Sequence, residues 1–267
     1  MQPAVVVDVG NTRIKWGRCL DAFSGTPDPP PPGGRQGGRG RISQTASLPP
    51  DEPEAWARQL EQWGLNGAHA WAVSGVHPQR RDRLIAWLRG RGNTAVMVDD
   101  AAVLPLKVAL ANPGGVGVDR LLAAVAANTM RASERPAVIV DAGSAVTVDW
   151  LDELGTFRGG AIYPGFRLMA EALHEHTALL PLVEIRQSQP PMPGATTIAA
   201  MEAGIFWAVA GGIRALFDRL AESAAASPQL FLTGGDADLL EPALGRPVLL
   251  RPEMTLEGVR LTAETLP

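Results

Sequence analysis

Two stretches of this chain are versions of one another, and they limit what it can fold into more than any other feature. Residues 4–16 read AVVVDVGNTRIKW, and residues 137–150 read AVIVDAGSAVTVDW. Each has a β-branched apolar run, then Asp, a small residue and Gly. A polar pair or trio follows, and alternation resumes. The pattern predicts a buried strand, a tight turn with a carboxylate at its mouth, and a second strand. A Gly at such a turn lets backbone N–H groups crowd around an anion, because no Cβ blocks the approach. The carboxylates of Asp8 and Asp141 cannot hold a phosphate themselves; they suit a cation that does. The repeat therefore sets the expectation of a duplicated α/β domain that grips a metal–nucleotide between its halves.

Composition narrows the field. A chain of 267 residues, 46% hydrophobic and 19% charged, is long and apolar enough for a large globular core. A net charge of −4 argues against a nucleic-acid partner, which usually meets a basic face. Cys19 is the only cysteine, so no internal disulfide can form and no cysteine-built zinc site exists. The start, MQPAVVVDVG, has no basic n-region and runs straight into a strand, unlike a signal peptide. No apolar run is expected to reach the roughly 18 residues of a membrane span. The expectation is a cytoplasmic protein with no membrane segment.

Along the chain, a second strand through Ile14 and Trp16 and a third near Arg41–Leu48 flank SGTPDPPPPGGRQGGRGR, residues 24–41. Consecutive prolines and a Gly/Arg tail resist packing. An RGG-like arm is one reading. A hairpin insertion is the plainer one, because only Arg35, Arg39 and Arg41 are basic and no aromatic interleaves them. Next come a helix over residues 51–65, a strand over 68–74, a helix near 80–89 and a strand over 94–98. This β-β-β-α-β-α-β order is that of half a ribonuclease-H-like domain. NPGG at 112–115 predicts a loop, and Asp119 stands where a helix begins. The second copy adds a hairpin, with GGAIYPG at 159–165 leading into a helix over 166–176. A long helix over 198–222 contains Gly204, Gly211 and Gly212, which suit close helix packing. A strand at 229–233 ends in Gly234–Gly235, and a short strand (248–250) and a helix (256–265) close the chain. The expected domains are 1–115 and 116–267.

The ordered set DVGNT (8–12), GVDR (117–120), DAGSA (141–145), GGAIYPG (159–165), Thr197 ahead of AAMEAG, TGG (233–235) and TLEG (255–258) resembles the type III pantothenate kinases, also labelled the Bvg accessory factor family. Each motif alone is weak; their order along nearly the whole chain is specific. The resemblance implies the acetate-and-sugar-kinase/Hsp70/actin fold, with two ribonuclease-H-like halves and ATP in the cleft. It also implies a homodimer, Mg²⁺, a monovalent cation (K⁺ or NH₄⁺), and pantothenate as phosphoryl acceptor.

On that resemblance, Asp8 is the candidate Mg²⁺ ligand, and Gly10, Asn11 and Thr12 are candidates to cradle the phosphates. Lys15 either adds charge there or is solvated. Asp119 is the candidate general base, and Arg120 beside it suits the acceptor's carboxylate or amide. Without the resemblance, Asp-Arg at a helix start reads equally as a cap with a surface cation. Asp141 is the candidate for a monovalent cation or a second Mg²⁺. Ser144, which stands where the family usually has Thr, and Thr147 suit phosphate or K⁺. Gly234 and Gly235 would let the nucleotide approach the backbone. Gly117, Thr197 and His176 match acceptor-site positions, and His176 fits the family's His better than His174. One departure is Leu110, nine residues before Asp119, where the family often has a Tyr that contacts pantothenate.

The chain lacks G-x-x-x-x-G-K-[ST], so it is no P-loop kinase, and Ser144 lacks the G-x-S-x-G context of a nucleophile-elbow hydrolase. Two other classes compete with the kinase. One is a nucleotide-binding regulator that has lost turnover; the other is a phosphatase in which Asp119 activates water.

Overall fold

Strand and helix positions follow the hydrophobic pattern closely. The computed structural model describes residues 1–20 and 41–267, so residues 24–40 of the Pro/Gly-rich insertion lie outside the described residues. The described chain divides into two compact units, Met1–Ser133 with Glu253–Pro267, and Glu134–Pro252.

The first unit contains β1 (Val5–Val9), β2 (Ile14–Leu20), β3 (Arg41–Leu48), α1 (Pro53–Gln62), β4 (Ala70–Gly75), α2 (Pro78–Arg89), β5 (Thr94–Met97), the short β6 (Lys107–Val108) and α3 (Val118–Met130). The second contains β7 (Ala137–Ala142), β8 (Ala145–Leu151), β9 (Thr156–Pro164), α4 (Phe166–Glu175), α5 (Thr197–Ala221), β10 (Gln229–Thr233), α6 (Ala237–Leu240) and β11 (Val248–Leu250). The last helix, α7 (Met254–Thr265), returns to the first unit.

Sheet topology repeats as the sequence does. The first unit's sheet runs β3-β2-β1-β4-β5, and the second contains the run β9-β8-β7-β10-β11. In both, the first strand is antiparallel to the second and parallel to the fourth, and the fourth is parallel to the fifth. The units do not coincide with the expected halves at 115/116. Helix α3 packs on β4 and on α7, so it belongs with the first sheet.

One face of the first sheet is an aromatic core. Val5, Val7, Val9, Trp16, Trp71 and Val73 meet Trp56 and Leu60 of α1 and Leu84 and Leu88 of α2. Trp16 and Trp71 pack edge-to-face at 5.0 Å, and Trp56 meets Trp87 at 5.4 Å, arrangements that add to burial of about 1.5–3 kcal/mol per large side chain. Buried Asn93 satisfies this core's polar edge, its Oδ1 accepting from Trp71 Nε1 at 3.1 Å and from His69 N at 3.0 Å.

Helices α3 and α7 cover the other face of the same sheet. They approach so closely at Gly258 that a Cβ there would lie 2.0 Å from the Leu122 carbonyl oxygen. Buried Arg260 on α7 donates to both Glu257 oxygens and to Glu264 Oε1, which satisfies an otherwise costly charge.

Three expectations change in the second unit. Strand β9 runs to Pro164, so GGAIYPG, expected only as the lead into a helix, is strand up to its last residue. The register shifts between Asp149 and Leu151, and Gly160 lies so close to β8 that a Cβ would meet Val148 O at 2.1 Å. Those glycines are strand residues at an irregularity. Close packing at Gly204, Gly211 and Gly212 is found, within the described residues, only at Gly212, which faces the Tyr163 ring. Helix α5 is long and apolar enough, by length and composition, to cross a membrane, because its charges are sparse; 44% of that stretch is buried. Its Met201, Phe206, Val209 and Ile213 enter the second unit's core.

Candidate active site

The first glycine turn is built at the carboxyl end of β1. Val9 pairs with Ile14, closing a loop of residues 10–13 in which Gly10 N donates to Arg13 O at 3.0 Å. Asn11 and Thr12 are exposed at its tip. Asp8 pairs with Lys15 on β2 and with Ser74 on β4, so the three share one face of the sheet. Val5, Val7 and Val9 lie in the aromatic core, so Asp8 points to the face covered by α3 and α7. Arg80, from the first turns of α2, donates to the Asn11 carbonyl and pairs with Asp51 at 3.3 Å. A guanidinium thus braces the turn from outside.

Asp119 reaches the same end of the sheet. Gly75 pairs with Val9, and Val76 follows it; the Cβ that Gly117 lacks would lie 3.9 Å from Val76 Cγ1. Gly117 is the N-cap of α3, and Asp119 sits in the helix's first turn. Its Oδ1 accepts from Arg120 N at 2.8 Å and curls back over Gly117, where a Cβ would be only 2.6 Å away. Gly117 is therefore required by space, since its φ of −54° is open to any residue.

The second turn belongs to the other unit. Ala142 pairs with Val146, so its loop, residues 143–145, is one residue shorter than the first, and Gly143 N donates to Ala145 O at 3.1 Å. Backbone presses on this turn from two directions. Gly165, the N-cap of α4, donates to Ser144 O at 3.0 Å, and a Cβ on it would meet Gly143 O at 2.1 Å. Gly234, at φ +101°, would carry its Cβ 2.2 Å from Ala142 O. Asp141, Ser144, Gly234 and Gly235 are thus brought together, and Asp236 joins them through its N–H to Ala142 O at 3.0 Å. Burial pushes the Asp236 carboxyl above the usual carboxylate range.

The acceptor-side residues are more scattered. His176 is the exposed C-cap of α4, whereas His174 is engaged through Nδ1 with Leu180 O at 2.9 Å. Thr197 is the exposed first residue of α5, and the neighbouring Thr196 is the cap, accepting from Ala199 N at 3.1 Å. Tyr163 of GGAIYPG donates to Val209 O at 3.1 Å and carries a phenol pushed well up by burial. That pins β9 to α5. Leu110 is half-buried.

Sequence reasoning missed Ser74, Arg80 and Asp236. The signal for Ser74 was present: AVSG (72–75) and FLTGG (231–235) are both apolar runs ending in a hydroxyl residue and Gly, so the repeat extends to the fourth strands. Arg80 gave none, because its contact to Asn11 spans 69 residues.

A family profile described as type III pantothenate kinase matches residues 4–219. A type III pantothenate kinase of Gluconobacter oxydans is 32% identical over 97% of this chain and 92% of its own length. One from Alkalilimnicola ehrlichii is 40% identical, over 54% of this chain and 57% of that protein. Among solved structures, the activator of the 2-hydroxyisocaproyl-CoA dehydratase from Clostridium difficile, with bound ADPNP, superposes with a TM-score of 0.53 at 13% identity, covering 98% of this chain and 95% of that one. The architecture is the acetate-and-sugar-kinase/Hsp70/actin fold.

Proposed function

This chain belongs to the type III pantothenate kinase family, and we propose that it transfers the γ-phosphoryl group of ATP to the primary hydroxyl of pantothenate, the first step toward coenzyme A. The observation that carries the proposal is the placement of Asp119 at the same sheet edge as the Asp8 turn. Phosphoryl transfer asks for in-line positioning, charge neutralisation and a group to take the acceptor's proton. Asp119 is assigned as that general base, because its carboxylate is fixed by Arg120 N and by the missing Cβ of Gly117. Gly117 and Arg120 are assigned to the acceptor.

Kinases of this fold use a divalent metal. Among the described residues no group of three or more His, Cys, Asp or Glu forms a metal cage. That suits Mg²⁺, which binds through one or two carboxylates plus substrate phosphates and keeps several waters. Asp8 would hold it, and bound there it would neutralise charge on the phosphates. Gly10, Asn11 and Thr12 are assigned to the phosphates, with Arg80 bracing their turn. Asp141 is assigned to a monovalent cation, K⁺ or NH₄⁺, or to Mg²⁺. Ser144, Gly234 and Gly235 are assigned to the nucleotide; the two glycines flank a backbone contact that admits no Cβ at Gly234.

His176 and Thr197 are assigned to pantothenate, and the assembly to a homodimer. In support, His176 and Thr197 bracket a segment carrying Leu179, Leu182 and Met192, which are 91%, 59% and 66% exposed, with Ile198 just beyond. Apolar exposure of that kind marks interaction surfaces. A cytoplasmic location follows from the activity proposed.

The test is product formation. With ATP, Mg²⁺ and K⁺, mass spectrometry should find 4′-phosphopantothenate equal to the ADP released, with less of both in Na⁺ buffer. ADP release without pantothenate would favour a phosphatase. Nucleotide binding without turnover would favour a regulator.

A further inference from the structure

Ser74 is a buried hydroxyl that none of the assigned phosphoryl-transfer roles uses. In each unit the Asp of the glycine turn has a hydroxyl residue beside it on the parallel neighbouring strand, Ser74 beside Asp8 and Thr233 beside Asp141. Each is followed by a glycine in the left-handed half of φ space, Gly75 at +151° and Gly234 at +101°, lying against the first strand's backbone. The two hydroxyls are equally hidden, with residue exposures of 0% and 2%. They differ in one respect. Thr233 Oγ1 donates to Pro252 O at 3.3 Å, whereas Ser74 Oγ has no hydrogen-bond partner among the described residues.

A buried polar group without a partner is costly, and Ala or Val at the position would remove the cost. The other such side-chain atom among the described residues, Trp16 Nε1, lies on the opposite face, in the tryptophan core. Ser74 instead shares its face with Asp8 and Lys15, near the edge where α3 begins with Gly117 and Asp119. A hydroxyl accepts as well as donates, and waters retained by Mg²⁺ are strong donors that need acceptors. Groups that hydrogen-bond to a metal's ligands fix their orientation and tune affinity.

We propose that Ser74 is a positioning residue whose Oγ accepts a hydrogen bond from a water on the divalent cation held at Asp8. This rests on the assignment of Asp8 to the metal. Ser74 thus completes the turn's cation site from beneath, through a water rather than by direct ligation. In the second unit the equivalent hydroxyl is already committed to Pro252, so the two copies differ in how a cation would be held.

Mn²⁺ serves as the probe, with free Mn²⁺ read by electron paramagnetic resonance in the presence of ADP, on the full chain and its Ser74→Ala and Asp8→Asn variants. Ser74→Ala should weaken Mn²⁺ binding by roughly tenfold, the lower end of such outer-shell effects. Its metal-free Tm should stay level or rise, because an unpaired buried hydroxyl has been removed. Unchanged Mn²⁺ affinity in Ser74→Ala, with affinity lost in Asp8→Asn, would overturn the role of Ser74 alone. Full affinity in Asp8→Asn would overturn the Asp8 assignment and the proposal with it. A fall in the metal-free Tm of Ser74→Ala would show that the hydroxyl serves the fold instead.

Discussion

At the scale of single residues, the account depends on a carboxylate held where it is by something missing. Asp119 Oδ1 occupies the space a Cβ on Gly117 would take, 2.6 Å away. Because Gly117 has an ordinary φ of −54°, Ala is permitted there by backbone conformation and excluded only by the carboxylate. Gly117→Ala should therefore leave Tm nearly unchanged and lower kcat by roughly 10–100-fold, since displacing a catalytic group by about 1 Å costs on that order. Steady-state kinetics beside a thermal melt would check it. Asp152 shows a carboxylate with a different job. Burial raises its pKa, but hydrogen bonds from Thr156 N and Leu154 N and the Arg158 guanidinium together lower it below the usual value. A lowered folded pKa gives stability that is complete above the unfolded value of about 3.9 and is lost as pH falls through the folded value. Asp152→Asn should cost about 1–3 kcal/mol at neutral pH and shrink that acid-side loss, as urea titrations at several pH values would show.

Elements were the most legible scale, for identifiable reasons. Runs such as VVVDV and AVIVDA read as a buried strand before a turn, and β3, β10 and β11 have the bounds expected from the sequence. GGAIYPG could not be assigned from sequence because glycine marks both loops and strand irregularities; only the partner strand, with Val148 O against Gly160, decides between them. Gly258 illustrates the same limit in a helix. From sequence it reads as a weak point in α7, and replacing it with Ala should gain about 1 kcal/mol by propensity. The structure reverses the sign, because the new Cβ would lie 2.0 Å from Leu122 O on α3. Gly258→Ala should cost about 1–3 kcal/mol by overpacking. Gly204→Ala on α5, where nothing lies within 4 Å, should gain up to about 1 kcal/mol in the isolated chain. Denaturant melts of the pair would test the contrast. Of the candidate site, the places of Asp8, Asp119 and Asp141 at the ends of their strands and helix were readable from their motifs. Ser74 had a signal in the matching AVSG and FLTGG runs that was passed over, and Arg80 had none, because its contact to the turn spans 69 residues.

At the scale of the whole molecule, the same strand order and sense occur in both units, so the sequence repeat is a repeat of architecture. The copies have diverged at their turns, with four residues between paired strand ends in the first and three in the second, and in the fate of the buried hydroxyl. Assembly is testable at this scale as well. If the exposed apolar segment between α4 and α5 is covered by a second copy, Leu182→Glu with Ile198→Glu should shift sedimentation from dimer to monomer without lowering the monomer's Tm. The most direct test of the central assignment is the rate of pantothenate-dependent ADP formation by Asp119→Asn, measured beside calorimetric ATP binding. Loss of roughly 10²–10⁴-fold in kcat with ATP affinity retained is the result predicted for a general base. Near-normal turnover by Asp119→Asn would remove that residue from the chemistry and contradict the account.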